Sequence, residues 1–452
     1  MGLKEEARFY LPILWLHPEE NFMPEDCAIV TKVSDVRDKK GRILRNAGLV
    51  GKNNNYELSD LGDGELNDDS NFLDLRTIDM QRQLVLKHGD SSQIEGYGDH
   101  AIRKKAKEIG NTKLFEDLDE KKLQGRTPKC FIKIYQDLKF RTDELDRNPA
   151  FRYRHAEHYE GFTYDVIQFF FFYLFNDSYF NLHETDWDST VEILLVRKDD
   201  DDQVLFRMVN YHMHGRNWLT VFPQKPHQVN MKEWLMHWMI REHERWAQDV
   251  NSPSSEYFNN PHFGTCFSIN MHPFVFIARG AHGGYPTPGF SDFGSIGSFK
   301  TNQDNRTFST MCILPPDYDK NMIVEVMKKA KDGPPPENTP NYLKDYVKSQ
   351  SKLFDSMKAE DINVLTWDYE YIESGNGDKD WWDYKGLWGE KVNYKGWSGG
   401  RGPLFKKGMR LDEAEKKNNF KLRDYFNDSE GYRPATGPLD LNKLLKNFHG
   451  VL

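Results

Sequence analysis

Residues 167–175 read Ile-Gln-Phe-Phe-Phe-Phe-Tyr-Leu-Phe, an apolar run interrupted once, at Gln168. A bilayer-spanning helix needs about 20 consecutive apolar residues, so the run is too short to cross a membrane. Aromatic side chains fit the pleated, packed surface of a sheet better than the crowded surface of a helix. The stretch therefore reads as a strand buried on both faces.

The rest of the chain carries the same bias. Its 30 Phe, 21 Tyr and 11 Trp make up 14% of all residues, against 38% for the whole hydrophobic set. Rings bury large areas each, so they supply a sizeable core even where aliphatic residues are scarce. This excludes a disordered chain, a collagen and a polytopic membrane protein, and favours sheet over a helical bundle. A net charge of -9 is the wrong sign for neutralising phosphates along a nucleic acid, so no nucleic-acid partner is expected. Cys27, Cys130, Cys266 and Cys312 lie far apart, without the paired spacing of a thiolate zinc site or a disulfide framework. That fits a reducing compartment. The opening Met-Gly-Leu-Lys-Glu-Glu has no apolar segment of a signal peptide, so the expectation is a cytoplasmic, soluble protein.

Strand-like patterns fall at 130–135, 163–175, 189–197, 204–214, 267–269, 274–278 and 362–366. Helical patterns fall at 100–125, 231–250, 322–331 and 342–357. Residues 8–35 read as a strand, a Pro-Glu loop and a second strand, and 49–75 as an excursion loop. The acidic run between 198 and 202 reads as a hairpin turn. Helices are too few and too irregular for alternating βαβ units. The expected fold is mainly β, an antiparallel β-sandwich core with helical insertions, α+β overall. One domain over 8–405 is expected, with insertions near 53–125, 225–260 and 317–360 and a charged tail at 406–452.

Three clusters can carry chemistry. In Asn181-Leu-His-Glu-Thr-Asp-Trp-Asp-Ser-Thr190, the side chains of His183, Glu184, Asp186 and Asp188 are all able to bind a hard cation. On a regular strand Glu184, Asp186 and Asp188 share one face and His183 takes the other, and a bend lets His183 join them. Clustered carboxylates repel unless a cation or solvent compensates. Oxygen-rich ligands with one imidazole favour magnesium, calcium or manganese over zinc. In Tyr211-His-Met-His-Gly215, His212 and His214 share a strand face and are candidate acid and base groups or ligands. Finally, the segment from Ala278 to Gly289 runs from a strand into a glycine-rich loop bearing His282, the kind of place where catalytic residues sit. It lacks a phosphate-loop or nucleophile-elbow pattern.

In this order the pieces resemble the vacuolar protein sorting-associated sixty-two-like family. The resemblance rests on YLPILWLHPEENFMP from Tyr10 to Pro24, DVIQFFFFYLFN from Asp165 to Asn176, HETDWD from His183 to Asp188, GAHGGY from Gly280 to Tyr285, and KGLWG from Lys385 with Gly402-Pro403. The His-x-x-Asp-Trp-acid core also resembles the signature of necrosis-inducing plant-pathogen toxins. Those are β-sandwiches with a divalent cation in an acidic cavity. The resemblance places metal ligands on His183, Asp186 and Asp188, with Asn176 or Asp177 upstream. Asp188 departs from the pattern, being one methylene shorter than its Glu.

Beside a purely structural or trafficking role in which a cation staples loops, two functions are open. One is a divalent-metal-dependent enzyme for a small or medium-sized substrate. His282, and His212 or His214, would act there as acid or base, and Trp187, Trp218 and Tyr285 would line the pocket. The other is a non-enzymatic, cation-dependent binder of lipid headgroups or glycans.

Overall fold

The computed structural model describes residues 2–17, 20, 22–46, 56–75, 127–139, 161–176, 183–187, 190–198, 203–213, 216–222, 268–286, 289–292, 295–296, 299–300, 303–306, 311–329, 358–372, 381–389, 400 and 402. In chain order the strands are β1 (Ile13–Trp15), β2 (Asp35–Arg37), β3 (Ile43–Arg45), β4 (Phe72–Asp74), β5 (Lys129–Lys139), β6 (Phe162–Phe170) and β7 (Tyr173–Asn176). They continue with β8 (His183–Asp186), β9 (Thr190–Lys198), β10 (Val204–Met213), β11 (Arg216–Val221), β12 (Ser268–Ile269), β13 (His272–Ile277) and β14 (Gly284–Tyr285). The last are β15 (Gly289–Asp292), β16 (Ser295–Ile296), β17 (Phe299–Lys300), β18 (Gln303–Arg306), β19 (Met311–Leu314), β20 (Asn363–Thr366) and β21 (Asp368–Tyr371). Helices are few by comparison, the longest among the described residues being Lys320–Lys329. None of the described helices is long and apolar enough to cross a membrane.

The fold is mainly β, as the ring-rich composition implies. One six-stranded sheet runs β12-β13-β1-β19-β20, with β14 also on β13, and the other runs β11-β10-β9-β6-β5-β21. Among the described residues one apolar cluster draws on both. It takes Trp15, Phe274, Val275 and Phe276 from the first sheet and Ile167, Phe169, Ile193, Leu195, Val209 and Tyr211 from the second. The Tyr211 hydroxyl ties the sheets together by donating to the Phe274 carbonyl at 3.1 Å. In the second sheet Val166, Leu194 and Met208 lie one residue out of phase with that cluster and are fully buried as well. Both faces of β6 are therefore covered, as the run at 167–175 predicts.

Three pairings depart from the antiparallel expectation: β1 with β13, β19 with β20, and β21 with β5 are parallel. Parallel strands belong where both faces are buried, and β1 and β13 are buried at every residue. The run at 167–175 is not one strand. It breaks at Phe171 and Phe172, so that β7 leaves the large sheet and pairs with β8. Nor is 49–75 a mere excursion, since its last residues form β4 and pair with β2. The second early strand falls at β2, after a helical turn at Val30–Val33. The helical patterns at 100–125, 231–250 and 342–357 lie outside the described residues, as does the turn at 199–202.

Gln168, the interruption in the opening run, has a structural partner set. Lys133, Gln168, Glu192 and Asn210 are directly opposed on β5, β6, β9 and β10. All four are at most 1% exposed. Gln168 donates to Glu192 at 2.5 Å, and Asn210 donates to the other Glu192 oxygen at 2.8 Å. A one-residue slip of any of these strands would move its member to the opposite face, so the row fixes register.

Candidate functional site

The acidic motif forms β8 of the β7–β8 hairpin, in which Tyr173 opposes Asp186, Phe175 opposes Glu184 and Asn176 opposes His183. The strand is not regular. Thr185 takes a left-handed φ of 52°, uncommon for a β-branched residue, and this bends the strand between His183 and Asp186. The surroundings hold the bend in place. The Thr185 hydroxyl donates to the Trp388 carbonyl at 2.6 Å, and the Leu75 N–H donates to the Glu184 carboxylate at 2.8 Å. A side chain at Gly389 would collide with the Glu184 backbone, so glycine is what lets the closing Trp segment lie against the hairpin.

Behind the hairpin sits His282. Its loop folds back on the end of β13, with the His282 N–H donating to the Ala278 carbonyl at 2.9 Å, and His282 itself adopts φ 54°. The imidazole is fully buried. Its Nδ1 lies 3.2 Å from Asp186 Oδ2 and its Nε2 3.3 Å from Glu20 Oε1. Tyr173 stacks on the ring at 4.0 Å, and Phe22 meets it edge-on at 6.3 Å. Both carboxylates have further donors. Glu20 accepts from the Gly280 N–H at 2.7 Å and the Phe22 N–H at 3.1 Å, and Asp186 accepts from Asn176 at 2.9 Å.

A carboxylate only accepts, so a ring facing one at each nitrogen must carry both protons. Burial opposes that charge, yet the Glu20 carboxylate and the hydrogen bonds to Asp186 and Glu20 outweigh it. The His282 pKa is pushed up to about 10. Glu20 responds in kind: burial alone would raise its pKa, but the charge on His282 and the bond to it hold the carboxyl below its ordinary range. The result is a buried carboxylate–imidazolium–carboxylate chain with Asp186 at one end.

Of the candidate residues, the structure brings Asp186 and His282 into contact. His183 is buried in the same hairpin, its Nδ1 2.7 Å from the Thr185 carbonyl. Asn176 links the two halves, opposing His183 in register and bonding Asp186. Trp187 and Tyr285 are core rather than cavity wall. Trp187 is 2% exposed and packed against Phe172, Trp388, Trp381 and Phe131, and Tyr285 is 1% exposed on β14. Asp177, Asp188 and His214 lie outside the described residues, as do the side chains of His212 on β10 and Trp218 on β11. Among the described residues no three His, Cys, Asp or Glu side chains gather as a metal would require. Glu20 and Asp186 lie against opposite nitrogens of His282, so both nitrogens of that ring are already engaged. Glu20 and Tyr173 were not anticipated as site residues, although both fall inside motif stretches quoted above.

Comparison with family models, with curated proteins and with solved structures yields no match.

Proposed function

We propose that the chain is a non-enzymatic, divalent-cation-dependent binding protein for oxygen-rich anionic ligands, such as lipid headgroups or acidic glycans. The proposed ligands of the cation are His183 and Asp186, with Asp177 and Asp188 adjoining the hairpin in sequence. Magnesium, calcium or manganese suits this set better than zinc.

The observation that carries the reading is the pair of fixed groups in β7–β8. A carbonyl oxygen only accepts, so the Thr185 contact puts the His183 proton on Nδ1 and makes Nε2 the basic nitrogen. Metal-binding histidines are commonly oriented by such a backbone carbonyl. Asp186 is likewise oriented, by Asn176 and by the His282 imidazolium. Binding is preferred to catalysis because His282, the foremost acid–base candidate in the sequence, is fully buried with a carboxylate against each ring nitrogen. A general acid or base works best with a pKa near the operating pH and within reach of its substrate.

The test is sedimentation with vesicles containing phosphatidylserine, and capture on an acidic-glycan resin, in calcium and in EDTA. Retention that needs calcium, and that His183→Ala abolishes while the protein stays folded, supports the reading. Equal retention in EDTA, or no retention on either matrix, contradicts it. Bound calcium at 100 times its dissociation constant should also stabilise the fold by about 2.7 kcal/mol.

A further inference from the structure

At the start of β13, the strand end opposite His282, lies a cleft of about 430 Å³ that shares no residue with the hairpin site. Its volume falls in the range of small-molecule sites. It is built from Arg8 and Phe9 near the N-terminus, the β12–β13 turn, the turn after β19, and Tyr369 on β21. Two tyrosines, Tyr318 and Tyr369, and Phe9 supply rings, while Arg8 and Asp317 supply one charge of each sign. The imidazole of the cleft, His272, adds no charge at neutral pH: burial drives its pKa down to about 4.

The two charges do not satisfy each other. Among the described residues neither Arg8 nor Asp317 has an ion-pair partner, and both are exposed at the cleft. Arg8 is instead held over the Phe9 ring at 4.9 Å, which orients a guanidinium without neutralising it. Asn270, in the turn at φ 53°, donates its amide to the Tyr318 hydroxyl, leaving the hydroxyl proton to donate elsewhere. Burial raises the Tyr318 pKa, so that proton is retained.

We propose that this cleft binds a small zwitterion, an ammonium group joined to a phosphate or carboxylate. Arg8 pairs with the anionic end, and Asp317 with the rings of Tyr318 and Tyr369 receives the ammonium. Rings and a carboxylate together suit an alkylated ammonium, and a guanidinium suits a planar or tetrahedral oxyanion. A zwitterion joins in one ligand the two charges that the cleft keeps apart.

The experiment is calorimetric titration of the full chain in EDTA with phosphocholine and with glycine betaine, using choline and inorganic phosphate as single-charge controls. The chelator separates this site from the proposed cation site. Saturable binding of at least one zwitterion is expected, tighter than either control. Arg8→Gln and Asp317→Asn should each weaken it tenfold or more while leaving the unfolding midpoint unchanged. No saturable binding of either zwitterion overturns the proposal, as does binding untouched by both substitutions or matched by choline alone. Retention on phosphatidylcholine vesicles, competed by free phosphocholine, assigns the ligand to a lipid headgroup. Titration without vesicle retention assigns it to a free zwitterion.

Discussion

Two buried histidines bracket β13 and have opposite charge states. His272 is 5% exposed and donates from Nδ1 to the Leu11 carbonyl at 2.7 Å, with the Tyr318 ring edge against it at 4.6 Å. Burial pulls its pKa down to about 4, against smaller upward pulls from that carbonyl and from Asp317. His282 is at least as buried, yet its pKa moves to about 10. Burial penalises the charged ring in both places. The difference is that His282 has a carboxylate at each nitrogen, whereas His272 has a neutral carbonyl at one. Burial alone therefore does not settle a histidine's role; the charge of its partner does.

The largest expected effect comes from removing the imidazolium. His282→Ala leaves Glu20 and Asp186 as buried carboxylates without their shared cation, and breaking such a set costs about 3–5 kcal/mol. Urea unfolding at pH 7 should show it. A loss under 1 kcal/mol would mean that the ring is not the charge that holds them.

The pH dependence of stability sharpens the comparison, because the two rings act on opposite limbs. The folded pKa of His282 lies above its ordinary 6.5. Its stabilisation is therefore complete below about 6.5 and is lost as pH rises toward about 10, at up to roughly 1.4 kcal/mol per pH unit. The folded pKa of His272 lies below 6.5, so the unfolded chain takes up the proton first, and stability is lost as pH falls from about 6.5 toward about 4. Glu20, held below its ordinary 4.5, adds to the acid loss at still lower pH. Denaturant midpoints between pH 4 and 10 should peak near 6.5.

His272→Phe should cost less, about 1–3 kcal/mol for the orphaned Leu11 carbonyl. It should flatten the limb between pH 4 and 6.5 while leaving the alkaline limb intact. The smallest effect is expected at Thr185→Val, which removes the 2.6 Å bond to Trp388 for about 1 kcal/mol. Because it loosens the bend beside His183, it should also weaken calcium binding measured by calorimetry.

Much of the second sheet was legible from sequence. Out-of-phase pairs such as Phe169 with Val166 and Ile193 with Leu194 mark strands covered on both sides, and the observed β9 and β10 lie within a residue of expectation. Gln168 was visible as an interruption, but its partners on β5 and β9 depend on a register that no local pattern states. The break at Phe171–Phe172 was hidden for a different reason: an unbroken apolar run carries no mark where the chain changes sheets. The parallel pairings of β1 and β21 were hidden because their partners lie far away in the chain.

The site divides in the same way. His183 and Asp186 were readable because they are neighbours in one motif. Glu20 was not, since it meets His282 across 262 residues and nothing near Glu20 signals an imidazole. The glycine-rich loop around His282 has the sequence of a loop where catalytic residues sit. Its backbone instead turns inward, with Gly280 giving its N–H to Glu20.

The measurement that bears most directly on these claims is nitrogen NMR of the histidine rings at pH 8. His282 should show both ring nitrogens protonated, with exchange-protected protons, while His272 shows one. A neutral His282 at pH 8 would contradict the buried imidazolium and return that ring to the list of groups able to act as a base.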